Sequence, residues 1–330
     1  MVLVLGVGGN IGQGILKALN QSKLQCRVIG ADNIPLSFGL YTVDRAYVSP
    51  NAEEDSFPDW VLNICKKEGV EVVLSGVESV LTSLSEHAYE IHKKTGAVCI
   101  VSPSALLSIS NDKLSTCRWL KDHEFNFPHY APSEDIEAVE KLVKEYGYPL
   151  IGKPRLGKGS HGLIRIDTQP DLTWVSSKKG YIIEEYLNGP EYTVGCFCDR
   201  DGYIRGSIVM LRELKQGTTY RAEVGEFPEV REEATRIAWA LQPMGPCNIQ
   251  MIVSNEKPTC FEINMRFSGT TPIRARLGFN EVEAAIRNYV LNESIEDFPL
   301  IKHGIALRYW NEMYIDSQSN ILIEDYGMKQ

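Results

Sequence analysis

The segment Cys260-Phe-Glu-Ile-Asn-Met-Arg-Phe-Ser-Gly269 alternates apolar and polar residues. The alternation predicts a β-strand with Phe261, Ile263, Met265 and Phe267 toward a core and Glu262, Asn264, Arg266 and Ser268 on the opposite face. A carboxylate, an amide and a guanidinium in a row on one face cost free energy unless something polar meets them. Upstream, Gln250 lies in a second apolar run over 247–253. Two neighbouring strands would bring Gln250, Glu262 and Asn264 together. Their oxygens are hard donors of the kind Mg²⁺ takes, and Arg266 beside them suits a phosphate. An amphipathic strand with a solvated polar face fits the same spacing, so the rest of the chain has to decide.

A chain of 330 residues is long for one core and predicts two or three domains. A hydrophobic fraction of 43% and a charged fraction of 23% are those of an ordinary globular protein. The net charge of −9, with no basic run, argues against a nucleic-acid partner but leaves room for a local anion site. No apolar run is long enough to span a membrane, and the opening Met1-Val-Leu-Val-Leu5 reads as a strand rather than a signal peptide. The eight cysteines are scattered, without a CxxC pair, which fits buried free thiols in a reducing compartment. A cytoplasmic protein is expected.

Strands over 2–5, 26–31, 70–75 and 98–101 alternate with helical patterns over 15–19, 60–68 and 81–95, as in an open parallel sheet. Gly6, Gly8, Gly9, Gly12 and Gly14 resemble a dinucleotide fingerprint, with Asp32 near the place of a ribose-binding acid. The register is imperfect, because Ile11 stands where the third glycine should be. An NAD site, a substrate cradle and a tight strand–helix turn all remain open at this point.

Ser110-Asn-Asp-Lys113 opens a helix, with Asn111 or Asp112 as its cap. An amphipathic helix over 136–146 stops at Gly147 and Pro149, and a strand over 150–154 carries Lys153. Leu156-Gly-Lys-Gly-Ser-His-Gly162 then reads as a mobile hairpin tip. Gly157, Gly159 and Gly162 let backbone approach a phosphate, Ser160 offers a hydroxyl, and Lys153 and Lys158 add charge. A surface hairpin with incidental lysines is the alternative; the GxxxxGK[ST] order of a P-loop is absent. A third strand ends at Glu184-Glu-Tyr-Leu187, and Glu191 follows the turn. An extended backbone there suits an adenine edge, with Glu191 accepting from ribose hydroxyls. The last third holds strands, a helix over 229–241, the strand pair described first, and a helix over 282–290.

Taken in order, Asn-Asp-Lys113, Lys153-Pro, the glycine loop, Glu184-Glu-Tyr-Leu with Glu191, Gln250 and Glu262-Ile-Asn-Met-Arg266 resemble the ATP-grasp superfamily. The resemblance covers the whole chain and is closest to one synthetase half of the carbamoyl-phosphate synthase large subunit. It implies an α/β protein: a Rossmann-like domain over 1–108, then an α+β ATP-grasp domain over 109–330 with a mobile lid at about 128–187. It implies that Lys113 and Lys153 contact ATP phosphates under a loop spanning Gly157, Gly159, Ser160 and Gly162. Glu184, Glu185 and Leu187 would read adenine and Glu191 the ribose. Gln250, Glu262 and Asn264 would hold Mg²⁺, with Mn²⁺ as a substitute, and Lys153 and Arg266 would be catalytic. The implied activity is ATP-driven joining of a small carboxylate to an amine through an acyl phosphate, releasing ADP and phosphate. Carbamoyl phosphate synthesis itself is not expected, since it needs two such halves and a glutaminase. Met265 departs from the proline common in relatives. A nucleotide-binding subunit of a larger synthetase and an NAD-dependent oxidoreductase are the rival readings. Arg212, Arg274 and Arg276 carry no clear role, the substrates are unnamed, and a homodimer is only the commonest assembly.

Overall fold

The structure is a computed structural model that describes residues 1–157, 159, 161–296, 298, 304–315 and 323–325. Lys158 and Ser160 therefore lie outside the described residues. The first layer is a parallel sheet of β1 (Val2–Leu5), β2 (Val28–Asp32), β3 (Arg45–Val48), β4 (Val72–Ser75) and β5 (Val98–Cys99). Its crossovers include α1 (Asn10–Asn20), α2 (Phe57–Glu68) and α3 (Glu78–Thr95). Every residue of β1 is buried, as expected for a parallel strand covered on both faces.

The glycine loop resolves into a tight strand–helix turn. α1 begins at Asn10, earlier than the apolar pattern alone predicts, because the turn needs no extra length. A Cβ on Gly12 would sit 2.1 Å from the Gly6 carbonyl oxygen, so only glycine lets the helix settle onto the strand end. Asp32 faces into this turn. One carboxylate oxygen accepts from Gly8 N at 2.7 Å, and the other from Ser37 Oγ at 2.8 Å and Ile34 N at 3.1 Å. Its acceptors are engaged locally, which corrects the ribose-acid reading and removes the main support for an NAD site.

Next come α4 (Ser104–Asn111) and α5 (Lys113–Asp122). Asp112, not Asn111, caps α5 by accepting from Leu114 N at 3.0 Å. A small antiparallel sheet follows, β6 (Tyr130–Pro132), β7 (Leu150–Pro154), β8 (Ile164–Ile166) and β9 (Tyr181–Glu185), in the order β6-β9-β7-β8. α6 (Ile136–Tyr146) and α7 (Gln169–Ser176) accompany it around a core of its own that includes Val139, Leu142, Leu150 and Val175. The apolar periodicity gave no hint of α7, which opens with a capping box between Thr168 and Asp171.

The third layer is an antiparallel sheet of β10 (Glu191–Cys198), β11 (Ile204–Lys215), β12 (Thr218–Val224), β13 (Gly245–Ser254), β14 (Lys257–Asn264) and β15 (Gly304–Leu307), ordered β14-β13-β10-β11-β12-β15. α8 (Pro228–Leu241), α9 (Thr271–Arg276) and α10 (Glu281–Ala285) complete it, and a π-turn over Ile286–Val290 continues α10. One apolar cluster runs from Val4 and Ile15 of the first layer to Phe197, Ile208 and Phe267 of this one, so the two share a core. β16 (Ile323–Asp325) returns the chain to the first sheet, beside β3. The whole is mixed α/β.

One side chain departs from the predicted alternation in β14. The register shifts between Gln250 and Met251, whose partners are Glu262 and Cys260, so Phe261 has no opposite number. At this bulge Phe261 lines the same cavity as Glu262 instead of joining the core. Ile263, Met265 and Phe267 are buried as predicted. Arg274 is fully buried, neither a surface pair nor a group open to a ligand. It is ion-paired with the equally buried Glu281 at 3.1 Å and also bonds Asn248 Oδ1.

Candidate functional site

A cavity of about 350 Å³ lies between the small sheet, the third-layer sheet and the start of α5. β7 contributes Ile151 and Lys153, and the following loop contributes Gly157, Gly159, His161 and Leu163. β9 and the turn after it contribute Glu184, Glu185, Tyr186 and Leu187. Opposite stand Glu191 on β10, Arg212 and Leu214 on β11, Gln250 and Ile252 on β13, and Phe261 and Glu262 on β14. Lys113, at the first position of α5, closes one side. Most of the residues picked out from the sequence thus share one space. Gly162 does not line it: its φ of +75° makes a turn against Pro154 and Tyr181. Asn264 and Arg266 border a smaller neighbouring recess and reach the cavity through hydrogen bonds.

The basic side chains already have partners. Lys153 Nζ lies 2.7 Å from Glu184 Oε2, both groups being buried, and 5.6 Å from the centre of the Phe261 ring. Burial disfavours the charge on Lys153, but the Glu184 carboxylate outweighs it and holds the pKa above the usual lysine value. Glu184, expected at an adenine edge, lines the cavity and is the counter-ion of the buried lysine. Lys113 Nζ donates to the Gly157 carbonyl at 2.8 Å, which ties α5 to the glycine loop. Burial depresses its pKa, offset in part by Glu262.

On the opposite wall, Arg212 Nε donates to Glu191 Oε1 at 2.8 Å and its Nη2 to Gln250 Oε1 at 2.6 Å. Gln250 Nε2 donates to Glu262 Oε1 at 3.3 Å, and Asn264 Nδ2 to the same oxygen at 2.8 Å. Arg266 Nη2 donates to Asn264 Oδ1 at 2.8 Å and to Glu78 Oε1, from α3, at 3.0 Å. The pairing of Gln250 with Glu262 and of Asn248 with Asn264 across β13 and β14 puts this row on one edge of the sheet. Among the described residues, no group of three His, Cys, Asp or Glu side chains could hold a metal unaided. One carboxylate flanked by two amides nonetheless fits Mg²⁺, which keeps waters and takes ligand phosphate oxygens around one or two protein carboxylates. Rotating either amide about its terminal bond would turn oxygen in place of nitrogen toward the ion.

Sequence reasoning missed the apolar lining. Ile151, Leu163, Ile252 and Phe261 read as core or hairpin residues because an apolar slot between two sheets has the same pattern as a core. Arg212 was visible as a charge on a strand, but nothing in its spacing tied it to Glu191.

Residues 2–100 match the family model described as "PylC-like, N-terminal domain", and residues 177–313 match "ATP-grasp in the biosynthetic pathway with Ter operon". The second half of the chain is thus similar to ATP-grasp proteins. Among its relatives, the carbamoyl phosphate synthase large chain of Haemophilus ducreyi is 26% identical over 303 residues, covering 82% of this chain and 27% of the relative. The corresponding chain of Caldanaerobacter subterraneus subsp. tengcongensis is 26% identical over 304 residues, with 83% and 27% covered. The chain thus spans about a quarter of the length of these relatives. N5-carboxyaminoimidazole synthetase from Staphylococcus aureus, solved with ADP, superposes with a TM-score of 0.76 at 16% identity, covering 93% of this chain and 82% of that one. A biotin carboxylase from Campylobacter jejuni gives 0.72 at 18% identity, with 93% and 75% covered. At such identities the superpositions establish the ATP-grasp fold.

Proposed function

We propose that the protein is an ATP- and Mg²⁺-dependent ligase joining a small carboxylate to an amine through an acyl phosphate, with release of ADP and phosphate. The observation that carries this reading is the meeting in one cavity of Lys113, Lys153, Gly157 and Gly159 with the Gln250 and Glu262 pair. Phosphate-binding groups face hard oxygen donors there. The nucleotide base would lie against Ile151, Leu187 and Ile252, with backbone at Glu185–Leu187 along its edge and Glu191 near the ribose.

Glu262, with Gln250 and Asn264, would hold Mg²⁺, or Mn²⁺ in its place, and the ion would supply charge neutralisation at the phosphates. Lys113 would bind the nucleotide phosphates, and Lys153 and Arg266 the phosphoryl group in transfer. A carboxylate oxygen of the substrate attacks the γ-phosphorus, the bond to the bridging oxygen breaks, and ADP leaves. The amine then attacks the acyl carbon, phosphate leaves, and the proton lost by the amine passes to phosphate or solvent. Positioning and charge complementarity do most of this work. In this reading, residues 1–108 form the Rossmann-like domain, 109–330 the ATP-grasp domain, and about 128–187 the lid. We place the activity in the cytoplasm.

The test is release of ADP and phosphate from Mg·ATP across pooled carboxylates and amines, with mass spectrometry of the active pool. The expected result is release that needs both co-substrates and a product formed by loss of water. Glu262→Gln should lower turnover by about a hundredfold or more with the fold intact. Full activity in that variant would sink the metal assignment. A nucleotide-binding unit that acts only with a partner chain is the second reading, favoured by the 27% share of its relatives' length. Mg·ATP binding without release from any pool would support it.

A further inference from the structure

The first sheet changes winding direction between β1 and β4: β2 and β3 lie on one side, β5 on the other. In open parallel sheets, ligands sit in the crevice outside the carboxyl ends of the strands at such a reversal. The two loops leaving that point are tightly packed, since a Cβ on Gly6 would lie 2.3 Å from Val77 Cγ2. Ser75 Oγ donates to the Leu5 carbonyl at 3.1 Å and accepts from Val77 N at 3.1 Å, which sets the course of the loop after β4. The next residue is Glu78, the first of α3. Its carboxylate therefore stands on a rigid base where the first layer faces the end of β14.

Arg266 has five N–H donors. Nη1 donates to the Phe267 carbonyl at 3.0 Å, and Nη2 to Asn264 at 2.8 Å and to Glu78 at 3.0 Å. Nε is buried with no hydrogen-bond partner. Nε–H, on the Nη2 edge of the guanidinium, is shut off from solvent, so the second Nη1–H is the donor left for an oxyanion. Of the three bonds made, the one to Glu78 has ionised groups on both sides and is the strongest restraint on the guanidinium. The Arg266 side chain is only 10% exposed and that of Glu78 28%, so solvent screens the pair incompletely.

We propose that Glu78 is a positioning residue. It holds the Arg266 guanidinium so that the unused Nη1–H meets the terminal phosphate of the nucleotide. Capture of that phosphate then depends on a carboxylate supplied by the start of α3 in the first layer. This inference rests on the nucleotide reading above. Glu78 itself touches neither the nucleotide nor the ion.

The experiment measures, by calorimetry on the full chain with Mg²⁺, the affinities for ADP and for a non-hydrolysable ATP analogue. Their ratio reports the terminal phosphate alone. Glu78→Gln should lower the preference for the analogue by about fivefold, because the guanidinium must then be ordered on binding. ADP affinity should not change. Glu78→Asp, which keeps the charge, should recover part of the preference. In an Arg266→Gln background, Glu78→Gln should have no further effect, since residues acting through one contact are not additive. An unchanged ratio, a raised ratio, or an equal fall in the Arg266→Gln background would each overturn the role. Absence of ADP and analogue binding in the unmodified protein would instead overturn the nucleotide reading, and the inference with it.

Discussion

Lys113 and Lys153 have the same chemistry and opposite surroundings. Lys153 is held charged by Glu184, whereas Lys113 has a carbonyl for its partner and a pKa lowered by burial. The charge on Lys113 is present below that lowered pKa and lost as pH rises through it. Nucleotide affinity should therefore weaken on the alkaline side before ordinary lysines titrate. Lys113→Arg, which stays charged, should remove that decline; calorimetry across a pH series would check both. Arg274 is a second case where environment decides. Breaking its buried pair with Glu281 by Arg274→Met should cost about 3–5 kcal/mol in denaturant unfolding, and adding Glu281→Leu should recover much of it. The sequence made the acids, amides and lysines of the cavity readable because charge in an alternating strand needs a reason. It could not say which charges pair with each other. Glu184 with Lys153, Glu191 with Arg212, and Arg266 with Glu78 are meetings between separate elements, and spacing along one strand carries no record of them.

At the scale of elements, the glycine loop is fastened from both sides. Lys113 bonds Gly157, and a Cβ on Gly217, in the turn between β11 and β12, would lie 2.3 Å from the Gly159 carbonyl oxygen. Gly217 also has φ +70°, which favours glycine on its own account. Gly217→Val should hold the loop off the hairpin and slow turnover by about tenfold, a cost expected from misplacing a positioning element. Stability should fall by about 1–3 kcal/mol. Steady-state rates and thermal unfolding together would separate the two effects. The long amphipathic pattern of α6 and the buried run of β1 announced themselves in the sequence. β3, four residues long, and α7, with only two buried side chains, did not, because short elements stabilised by caps and neighbours leave little periodic signal. The bulge at Phe261 was hidden for a related reason: a register shift belongs to two strands at once.

For the whole molecule, the first sheet and the large antiparallel sheet share an apolar core, while the small sheet keeps a separate one. A nucleotide bound between the small sheet and the large one would bridge units that pack independently. Saturating Mg·ATP analogue should then raise the melting temperature, and it should protect the chain between 128 and 187 from protease more than the first hundred residues. Equal protection throughout would count against a separately moving small sheet. There is also a consequence in how the site treats its surroundings. Two cationic side chains around it, those of Lys153 and Arg212, are each matched to a carboxylate. A lone phosphate or chloride must therefore win a base from an acid with little to offer in exchange. A triphosphate arriving with its own divalent ion brings many contacts at once and leaves the displaced acids facing a new cation. Such a site behaves less like an open trap than like a lock that ignores single pins, and its grip on nucleotide should depend only weakly on the background salt.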